Sequence, residues 1–435
     1  MKISEIYKLL LQSNGVVIDS RKIQKNDFFV AIKGENFDAN TFAQQALDNG
    51  ALCVVIDNPD YYIDQRTILV ENSLETLQQL ANFHRKQLAL SIIALTGSNG
   101  KTTSKELINA VLSEKYKTKA TVGNLNNHIG VPLTLLSFDY KTEVGIVEMG
   151  ANHKQEIEFL CQIAEPNLGY ITNFGKAHLE GFGGFEGVIQ GKSELYQYIR
   201  SENFDEEEGR QKWVFINLDD AIQVEKSEGL NRFSFSFKNK NAAVFIDSVE
   251  ANPFVKIKFE EAEIQSNLVG MYNAPNITAA IAIGKYFRVD TKKIKKAIEN
   301  YTPTNNRSQI IEKNSNKIIL DAYNANPSSM KAAIENFLNL DGKSKMMILG
   351  DMFELGTESL QEHKNIISLT KNKPDVEVLF VGNDFYSNQT PNEHLVFFES
   401  FEKLKEYLLT KKPIDKDILI KGSRGMALER ALDFL

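Results

Sequence analysis

The sequence predicts an α/β protein of three domains, and three observations lead to that fold class. The chain has 435 residues, which is too long for one ordinary domain. An apolar run at 92–95 leads through a glycine-containing loop into a helical pattern, as at the start of a nucleotide-binding parallel sheet. Beyond residue 304, strand and helix patterns alternate, which indicates a doubly wound sheet with helices on both faces.

The composition is typical of a globular protein, with 42% hydrophobic and 25% charged residues. The formal net charge of -7 gives no sign of the basic surface that nucleic-acid-binding proteins carry. No stretch approaches the roughly 20 apolar residues of a membrane span, and Glu5 and Lys8 interrupt the apolar run that a signal peptide needs. We expect a cytoplasmic monomer without membrane insertion, in which Cys53 and Cys161 are buried free thiols.

Residues 1–88 are predicted to form a small α/β domain. Strand patterns at 27–32 and 52–56 flank a helical pattern at 42–49. An amphipathic helix is predicted at 73–87, and Ser73 is its expected N-cap because a Ser hydroxyl can accept a free N–H group of the first turn.

Residues 89–303 are predicted to form a central domain around a parallel sheet. Apolar runs at 143–148 and 168–172 add buried strands to the one at 92–95. Short alternating runs within 213–264, such as the Phe–Ser alternation at 233–237, predict added β-hairpins. Two helices follow, and the linker to the next domain is predicted at 301–304.

Residues 304–435 are predicted to form a Rossmann-like, doubly wound domain. Asp321 and Lys421 directly follow two of its strands, at the edge where ligands bind in open α/β sheets. The strands are expected at 317–320, 346–349, 376–381, 395–398 and 417–420.

The loop after residues 92–95 has the layout of a phosphate-binding site. It is shorter than a Walker A loop, because the position five residues before Gly100 holds Leu95, and the pattern is T-G-x-x-G-K-T. Backbone N–H groups and the helix N-terminus would face the anion, the Lys would reach the terminal phosphates, and a Thr hydroxyl would bind Mg²⁺. The expected nucleotide-binding residues of the loop are Thr96, Gly97, Ser98, Asn99, Gly100, Lys101, Thr102 and Thr103. Glu148 ends a buried strand, where a Mg²⁺-organising carboxylate belongs.

The loop sequence TGSNGKTTSKE resembles that of the ATP-dependent Mur ligases, and further motifs follow in the family's order. They are DSR at 19, GNLNNHIGVPLTLL at 123, VEMGAN at 147, ITNFGKAHLEGFG at 171, GKSEL at 191, YNAPNITAA at 272, NRSQ at 306, LDAYNANPSSM at 320, LGDMFELG at 349 and IKGSRGM at 420. The resemblance implies one domain each for a UDP-sugar-peptide, for ATP and for the incoming amino component. It also implies that ATP phosphorylates a peptide carboxylate, that an amine attacks the acyl phosphate, and that ADP and phosphate leave.

The resemblance assigns the catalytic and nucleotide-binding residues. Lys101, Glu148, His178 and Lys192 match catalytic positions, and Thr102, Glu148, His178 and Lys192 match metal ligands. Lys192 matches a lysine that these ligases carbamylate, which needs an amine with a lowered pKa. Asn273 and Asn276 match adenine-side residues, whereas Arg307 and Asp321 match residues that reach the nucleotide phosphate and ribose. Without the resemblance, spacing alone favours His178 as an ordinary loop histidine, Lys192 as a helix-surface lysine and Arg307 as a surface arginine.

The resemblance also assigns substrate contacts. Ser20 and Arg21 match the UDP-sugar contact and Lys33 could join them, although KGENFDAN has Ala39-Asn40 where many relatives have Gly-His. The remaining substrate contacts are Asn126, Asn127 and His128 on the muramyl-peptide path, Asn324 and Asn326 beside the amino substrate, and Ser423 and Arg424 at its carboxylate.

The identity of the amino substrate depends on the motif DAYNANP. Relatives that add the third peptide residue have a histidine where this chain has Ala325, and they have a DNPR motif that this chain lacks. The resemblance therefore implies ligation of D-alanyl-D-alanine to a UDP-muramoyl-tripeptide. Two alternatives are a ligase that adds Lys or diaminopimelate as the third residue, and a catalytically silent, nucleotide-gated binder of wall precursors. Because two domains contribute ATP contacts, we expect a complete site only when they approach each other.

Overall fold

A computed structural model describes residues 1–201, 204–205, 210–304, 306–342 and 344–435. The chain begins with a four-stranded parallel sheet, whose strands in spatial order are Val16–Val17, Phe28–Val30, Cys53–Ile56 and Thr67–Leu69. Its helices are Ile3–Leu10, Ala43–Asp48 and Ser73–Leu88, with 3-10 turns at Ser20–Lys22, Ala39–Phe42 and Pro59–Tyr61. Lys33–Gly34 and Phe37–Asp38 form a short hairpin.

The predicted cap of the helix Ser73–Leu88 is wrong by one residue. Asn72 caps this helix, because its side-chain oxygen accepts the N–H of Glu75 at 3.0 Å. Ser73 is buried within the first turn instead. Asn and Ser are equally good caps, so the choice between adjacent positions is made by the direction in which the preceding chain enters the helix.

The central sheet has seven parallel strands. In spatial order they are Val244–Phe245, Arg232–Ser236, Trp213–Asn217, Leu168–Ile171, Ser91–Thr96, Val144–Glu148 and Thr118–Ala120. Its helices are Lys101–Ser113, Gly130–Leu136, Glu156–Ala164, Leu179–Phe182, Phe185–Ser201, Ala221–Lys226, Ala274–Tyr286 and Thr291–Asn300. Residues 92–95 are completely buried in the middle of this sheet, as their continuous apolar run predicts.

The prediction of hairpins for residues 213–264 is correct only in its second half. Ser248–Ala251, Phe254–Phe259 and Ala262–Val269 form a three-stranded antiparallel sheet. The Phe–Ser alternation, in contrast, belongs to Arg232–Ser236, which pairs in parallel on both sides and is part of the central sheet. Alternation of apolar and polar residues indicates a strand with two different faces, but it does not indicate whether the neighbouring strand is parallel or antiparallel.

The last sheet has six strands, in the spatial order Gln309–Lys313, Asn316–Asp321, Asp417–Lys421, Lys345–Gly350, Val376–Val381 and Leu395–Phe398. All five predicted strands are present and parallel, and Gln309–Lys313 is an additional antiparallel edge strand. The helices are Pro327–Asn339, Ser359–Lys371, Asn383–Ser387 and Phe401–Thr410, with 3-10 turns at Gly356–Glu358, Arg424–Met426 and Leu428–Phe434. The 3-10 turn Met271–Asn273 belongs to the central part, directly before the helix Ala274–Tyr286. The predicted doubly wound arrangement is confirmed.

The central and last sheets share a continuous apolar core. Leu179 and Phe182 of the central part belong to the same cluster of buried residues as Met330, Met352 and Leu355 of the last part. This shared core brings the carboxyl ends of strands from both sheets to one cavity. In the part of the chain that the structure describes, we find no helix whose length and apolar character would allow it to cross a membrane.

Candidate functional site

A cavity of about 990 Å³ lies between the central and last sheets. Open α/β sheets bind ligands at the carboxyl ends of their strands, and these ends form the cavity wall here. The predicted site residues that line it are Ser98, Asn99, Gly100, Lys101, Thr102, Thr103, Asn126, Asn127, His128, Glu148, His178, Asn273, Asn276, Arg307, Asp321, Asn324 and Asn326. Residues on its wall that the sequence analysis did not single out include Lys154, Asn173, Tyr272 and Tyr323.

The glycine loop, residues 96–103, depends on Gly100 for its shape. Gly100 has φ of +77°, and a Cβ atom there would lie 2.5 Å from Oδ1 of Asn276. The helix Lys101–Ser113 starts at the next residue, so its free N–H groups and positive dipole end face the cavity. Thr96 and Gly97 enter the loop from the strand and do not line the cavity wall.

The amine of Lys101 lies over the loop. Its Nζ donates to the carbonyl oxygen of Gly97 at 2.7 Å and to that of Ser98 at 3.4 Å. Removal from water lowers the pKa of Lys101, and the carboxylate of Glu148 partly opposes this effect. A cation beside the N-terminus of a helix suits the terminal phosphates of a nucleotide.

Thr102 and Glu148 form a pair on the cavity wall. The Thr102 hydroxyl and the side-chain amide of Asn126 both donate to Oε1 of Glu148, at 3.2 and 2.8 Å. The other oxygen, Oε2, is buried and finds no hydrogen-bond donor among the described residues. A buried carboxylate oxygen without a donor, next to a hydroxyl, is the kind of ligand set that a hard cation such as Mg²⁺ prefers.

Lys105 also approaches this pair, and the sequence analysis missed it. Its buried Nζ lies 3.9 Å from Oε2 of Glu148. The signal was available, because Lys105 follows Lys101 by four residues and the two therefore share one helix face.

His178 lines the cavity from the segment that follows the strand Leu168–Ile171. Its Nδ1 forms a short hydrogen bond with the carboxylate of Glu354, which comes from the last sheet. This hydrogen bond holds the pKa of Glu354 below its usual value. Sequence reasoning gave no sign of this partner, which is 176 positions away.

Lys192 is fully buried and is therefore not the helix-surface lysine that spacing alone favours. Its Nζ donates to the carbonyl oxygen of Ala151 at 3.0 Å and lies 4.9 Å from the ring centre of Phe182. Burial, and to a lesser extent the charge of Lys101, place the pKa of Lys192 well below its usual value. Burial thus favours the neutral amine over the ammonium ion, although Lys192 does not line the cavity.

The four predicted metal ligands are not gathered into one cluster. Thr102 and Glu148 are in contact, whereas His178 and Lys192 bond to other groups. Within the described ranges, no group of three or more His, Cys, Asp or Glu side chains has the arrangement of a metal site. The geometry therefore fits one cation position at Thr102 and Glu148, with His178 on a separate part of the wall.

Asn273 and Asn276 form a linked pair at the nucleotide side. Nδ2 of Asn276 donates to Oδ1 of Asn273 at 2.9 Å, and Asn273 in turn donates to the carbonyl oxygen of Val269 at 2.8 Å. The Ser104 hydroxyl donates to Oδ1 of Asn276 at 3.1 Å. These bonds hold both amides rigidly beside the glycine loop.

Arg307 and Asp321 enter the cavity from the last sheet. The guanidinium of Arg307 stacks on the ring of Tyr323 at 3.6 Å, and its Nε is buried without a hydrogen-bond acceptor in the described part of the chain. Asp321 accepts from Nζ of Lys421 at 2.6 Å and from the N–H of Ser308 at 3.1 Å. A guanidinium with an N–H group that has no acceptor among the described residues suits a phosphate oxygen.

Asn324 and Asn326 line the cavity, but Ser423 and Arg424 do not. Asn326 caps the helix Pro327–Asn339 and also donates to Oδ1 of Asn99 at 2.7 Å. The Ser423 hydroxyl accepts the N–H of Phe353 at 2.8 Å, and Arg424 pairs with Glu429 at 3.1 Å.

Ser20, Arg21 and Lys33 are absent from the cavity wall. They belong to the first sheet's region, where the exposed guanidinium of Arg21 pairs with Asp19 at 2.9 Å. Asn126, Asn127 and His128 do line the cavity.

Family models match most of the chain. The model described as Mur ligase family, catalytic domain, matches residues 12–85, Mur ligase middle domain matches 95–284, and Mur ligase, glutamate ligase domain, matches 306–424. The UDP-N-acetylmuramoyl-tripeptide--D-alanyl-D-alanine ligase of Bacillus subtilis is 36% identical over 81% of this chain and 76% of its own length.

Solved structures agree with this match. A crystal structure of MurF from Acinetobacter baumannii superposes with a TM-score of 0.87 at 30% identity, covering 99% of this chain and 98% of that one. The MurF ligase of Thermotoga maritima in complex with ADP gives a TM-score of 0.83 at 26% identity, with coverages of 98% and 97%. The resemblance seen in the sequence motifs and the predicted α/β fold are thereby confirmed.

Proposed function

This chain belongs to the Mur ligase family, and we propose that it joins D-alanyl-D-alanine to UDP-N-acetylmuramoyl-tripeptide with the consumption of ATP. The main support for this proposal is the 2.7 Å hydrogen bond between Asn326 of the YNANP turn and Asn99 of the glycine loop. It joins the YNANP turn, whose motif favours D-alanyl-D-alanine as the amino substrate, to the glycine loop that we propose binds ATP. The chain is an amide-bond-forming ligase, as its relatives are named.

The reaction class needs no nucleophile from the protein. The substrate carboxylate attacks the terminal phosphorus of ATP, which gives an acyl phosphate and ADP. The dipeptide amine then attacks the acyl carbon, and phosphate leaves. Lys101 and Arg307 are positioned to stabilise negative charge on phosphate oxygens, so positioning and charge stabilisation supply the catalysis.

We assign Thr102 and Glu148 as ligands of a Mg²⁺ ion, which would neutralise the negative charge of the phosphates. The support is the buried Oε2 of Glu148, which has no hydrogen-bond donor among the described residues, on the same carboxylate whose Oε1 accepts from the Thr102 hydroxyl. Asn273 and Asn276 are the proposed adenine contacts, and Asp321 is the proposed ribose contact.

Lys192 is the proposed site of carbamylation. A carbamate forms on a neutral amine, and complete burial favours the neutral form because it disfavours the ammonium ion. The carbamate oxygens would be anionic ligands, and His178 is the other proposed ligand of a metal beside the acyl phosphate.

Each of the three domains is proposed to bind a different substrate. We propose that residues 1–88 bind the UDP-sugar-peptide through Ser20, Arg21 and Lys33, that residues 89–303 bind ATP, and that residues 304–435 bind the dipeptide. Asn126, Asn127 and His128 would guide the muramyl peptide, and Asn324 and Asn326 would contact the dipeptide. Ser423 and Arg424 remain predictions for its carboxylate. A monomer in the cytoplasm remains our expectation.

A substrate panel tests the proposed function. Purified protein is given ATP, Mg²⁺, D-alanyl-D-alanine and UDP-muramoyl-tripeptide that ends in either Lys or diaminopimelate, and phosphate release is measured. We expect release with at least one tripeptide and only when the dipeptide is present. Phosphate release from the shorter dipeptide precursor with a free diamino acid, in the absence of D-alanyl-D-alanine, would contradict the proposal.

A further inference from the structure

The segment 306–308 presents Arg307 between two residues whose backbone is left-handed. Asn306 has φ of +57° and Ser308 has φ of +49°. Asn reaches this conformation readily, but for Ser it costs free energy and persists only where surrounding contacts impose it. The backbone around Arg307 is therefore held by its neighbours and not by local preference.

Three hydrogen bonds hold this segment in place. The N–H of Ser308 donates to Oδ1 of Asp321 at 3.1 Å, and the Ser308 hydroxyl shares a hydrogen bond of 2.9 Å with the Tyr272 hydroxyl. The N–H of Tyr323 donates to the carbonyl oxygen of Asn306 at 3.2 Å, which extends the antiparallel pairing of the edge strand in the last sheet. The arginine between Asn306 and Ser308 therefore lies diagonally across from Tyr323.

The guanidinium of Arg307 rests on the ring of Tyr323. Cζ of Arg307 lies 3.6 Å from the ring centre, and Nε is buried without an acceptor among the described residues. The nearby carboxylate of Asp321 is already paired with Lys421 at 2.6 Å. A guanidinium that stacks through its face keeps its N–H groups directed outward in its plane, where they can bind phosphate oxygens. Stacking thus orients Arg307 without using its hydrogen-bond donors.

We propose that Tyr323 is a positioning residue whose ring holds the Arg307 guanidinium ready to bind a phosphate group of the nucleotide. The inference rests on the proposed function, which makes Arg307 a phosphate contact. Both side chains line the cavity between the central and last sheets. Because a long, freely rotating arginine loses rotamer freedom when it binds a ligand, holding it in advance strengthens binding.

This role gives the DAYNANP motif a second task. Asn326 of the motif bonds to Asn99 of the glycine loop, and Tyr323, three positions earlier, contacts the arginine. The turn that we propose contacts the amino substrate therefore also fixes a phosphate contact. The arginine rests on the face of the ring, so the ring should be required for this role and the hydroxyl should not.

The test measures binding of the non-hydrolysable ATP analogue β,γ-methylene-ATP to the full-length protein by isothermal titration calorimetry. Tyr323→Leu and Tyr323→Gln, two variants without a ring, should bind the analogue about tenfold more weakly, because a desolvated cation–π contact contributes on this scale. Tyr323→Phe, which keeps the ring, should recover the affinity to within about twofold. Adenosine, which has no phosphate, should bind equally well to all these proteins in ligand-observed NMR.

Tyr140→Leu is the matched control. Tyr140 is 85% exposed and does not line the cavity, and the amine of Lys141 lies over its ring at 5.9 Å. The substitution therefore removes a tyrosine ring beside a cation, as Tyr323→Leu does, but at a position away from the proposed nucleotide site. The affinity for the analogue should not change.

A double variant connects the effect to the arginine. Arg307→Met should weaken binding of the analogue at least as much as Tyr323→Leu, and Tyr323→Leu should add nothing in the Arg307→Met background. Unchanged affinity in the folded ring-free variants would overturn the inference, as would a loss in Tyr323→Phe equal to that in Tyr323→Leu, or a loss that persists without Arg307. Normal binding by Arg307→Met would refute the phosphate role assigned to Arg307, and the inference with it. The measurement needs no amino substrate, so its result is independent of the substrate panel that tests the proposed ligation.

Discussion

The side-chain amide of Asn326 donates to Oδ1 of Asn99 at 2.7 Å, across 227 positions of the chain. Asn99 lies in the glycine loop, whereas Asn326 caps the helix Pro327–Asn339 by accepting the N–H of Ser329 at 2.9 Å. One amide thus stabilises a helix with its oxygen and joins two domains with its nitrogen. The two roles can be separated by mutation.

Asn326→Ser should keep the cap and lose the contact between domains. Ser is as good an N-cap as Asn, but its side chain is too short to reach Asn99. We expect kcat/KM for ATP to fall about tenfold, because one polar contact in a closed site contributes roughly 1–1.5 kcal/mol. The thermal midpoint should change little, whereas Asn326→Ala, which also removes the cap, should lower it. Equal kcat/KM for Asn326→Ser and the unmodified protein would refute a functional role for the contact.

Lys101→Met should remove the charge that, in our proposal, faces the terminal phosphates. Met has a similar length and leaves the loop filled, so we expect kcat/KM to fall at least about a hundredfold while the fold persists. Phosphate release in the presence of both substrates measures the effect. Lys117→Met, at an exposed position after the helix Lys101–Ser113, is the control and should be fully active. A loss smaller than threefold for Lys101→Met would argue against phosphate binding by this side chain.

The proposed carbamylation of Lys192 predicts a specific spectroscopic signal. Protein equilibrated with ¹³C-labelled bicarbonate should show a carbamate resonance in its ¹³C spectrum, in addition to free bicarbonate. Lys192→Met should lack that resonance and lose nearly all ligase activity. A spectrum of the unmodified protein that is indistinguishable from that of the variant would exclude the modification under those conditions.

Lys192→Met should also be slightly more stable than the unmodified protein depleted of CO₂. Burial lowers the pKa of Lys192 in the folded state, so between the folded-state pKa and the ordinary lysine pKa the unfolded chain binds more protons and folding is penalised there. The stability of the unmodified protein therefore rises with pH towards the ordinary lysine pKa. We expect a thermal midpoint about 1–2 °C higher for the variant at pH 7. The difference should shrink as the pH is raised.

We expect the buried, neutral ring of His84 to make the folded protein less stable in mildly acidic solution. Its Nε2 donates to the carbonyl oxygen of Phe138 at 2.9 Å and its Nδ1 accepts from the Tyr7 hydroxyl at 2.8 Å, so the neutral ring satisfies both partners. Burial is the main cause that lowers the pKa of His84 in the folded state. Below the unfolded pKa of about 6.5, the unfolded chain binds a proton that the folded chain excludes, so stability falls with pH down to the folded pKa.

The variant His84→Gln isolates this effect. The stability difference between it and the unmodified protein should be constant above about pH 6.5. Below that value it should change by at most about 1.4 kcal/mol per pH unit, in the direction that favours the variant. Denaturant midpoints across pH 5–8 measure it. A difference that stays constant over the whole range would mean that His84 is not the titrating group.

The sequence by itself determined the features that depend on short-range patterns. The apolar run at 92–95, the glycine at position 100 and the Lys–Thr pair that follows are local requirements of a strand, a tight loop and a helix start, and they predicted the phosphate-binding layout. The alternation of strands and helices after residue 304 likewise predicted the last sheet. Side-chain periodicity is set within a few residues, so one chain segment is enough to read it.

Only the tertiary structure decided which distant groups meet. Pattern alone could not show that Arg232–Ser236 pairs in parallel or that Gln309–Lys313 adds an antiparallel edge, because strand direction depends on the path of the chain between strands. Lys192 is buried because the helix Phe185–Ser201 packs its face against the core, and this burial sets its chemistry. The partnership of Glu354 with His178 exists because two sheets share one apolar core, and burial and proximity of this kind arise from packing the whole chain.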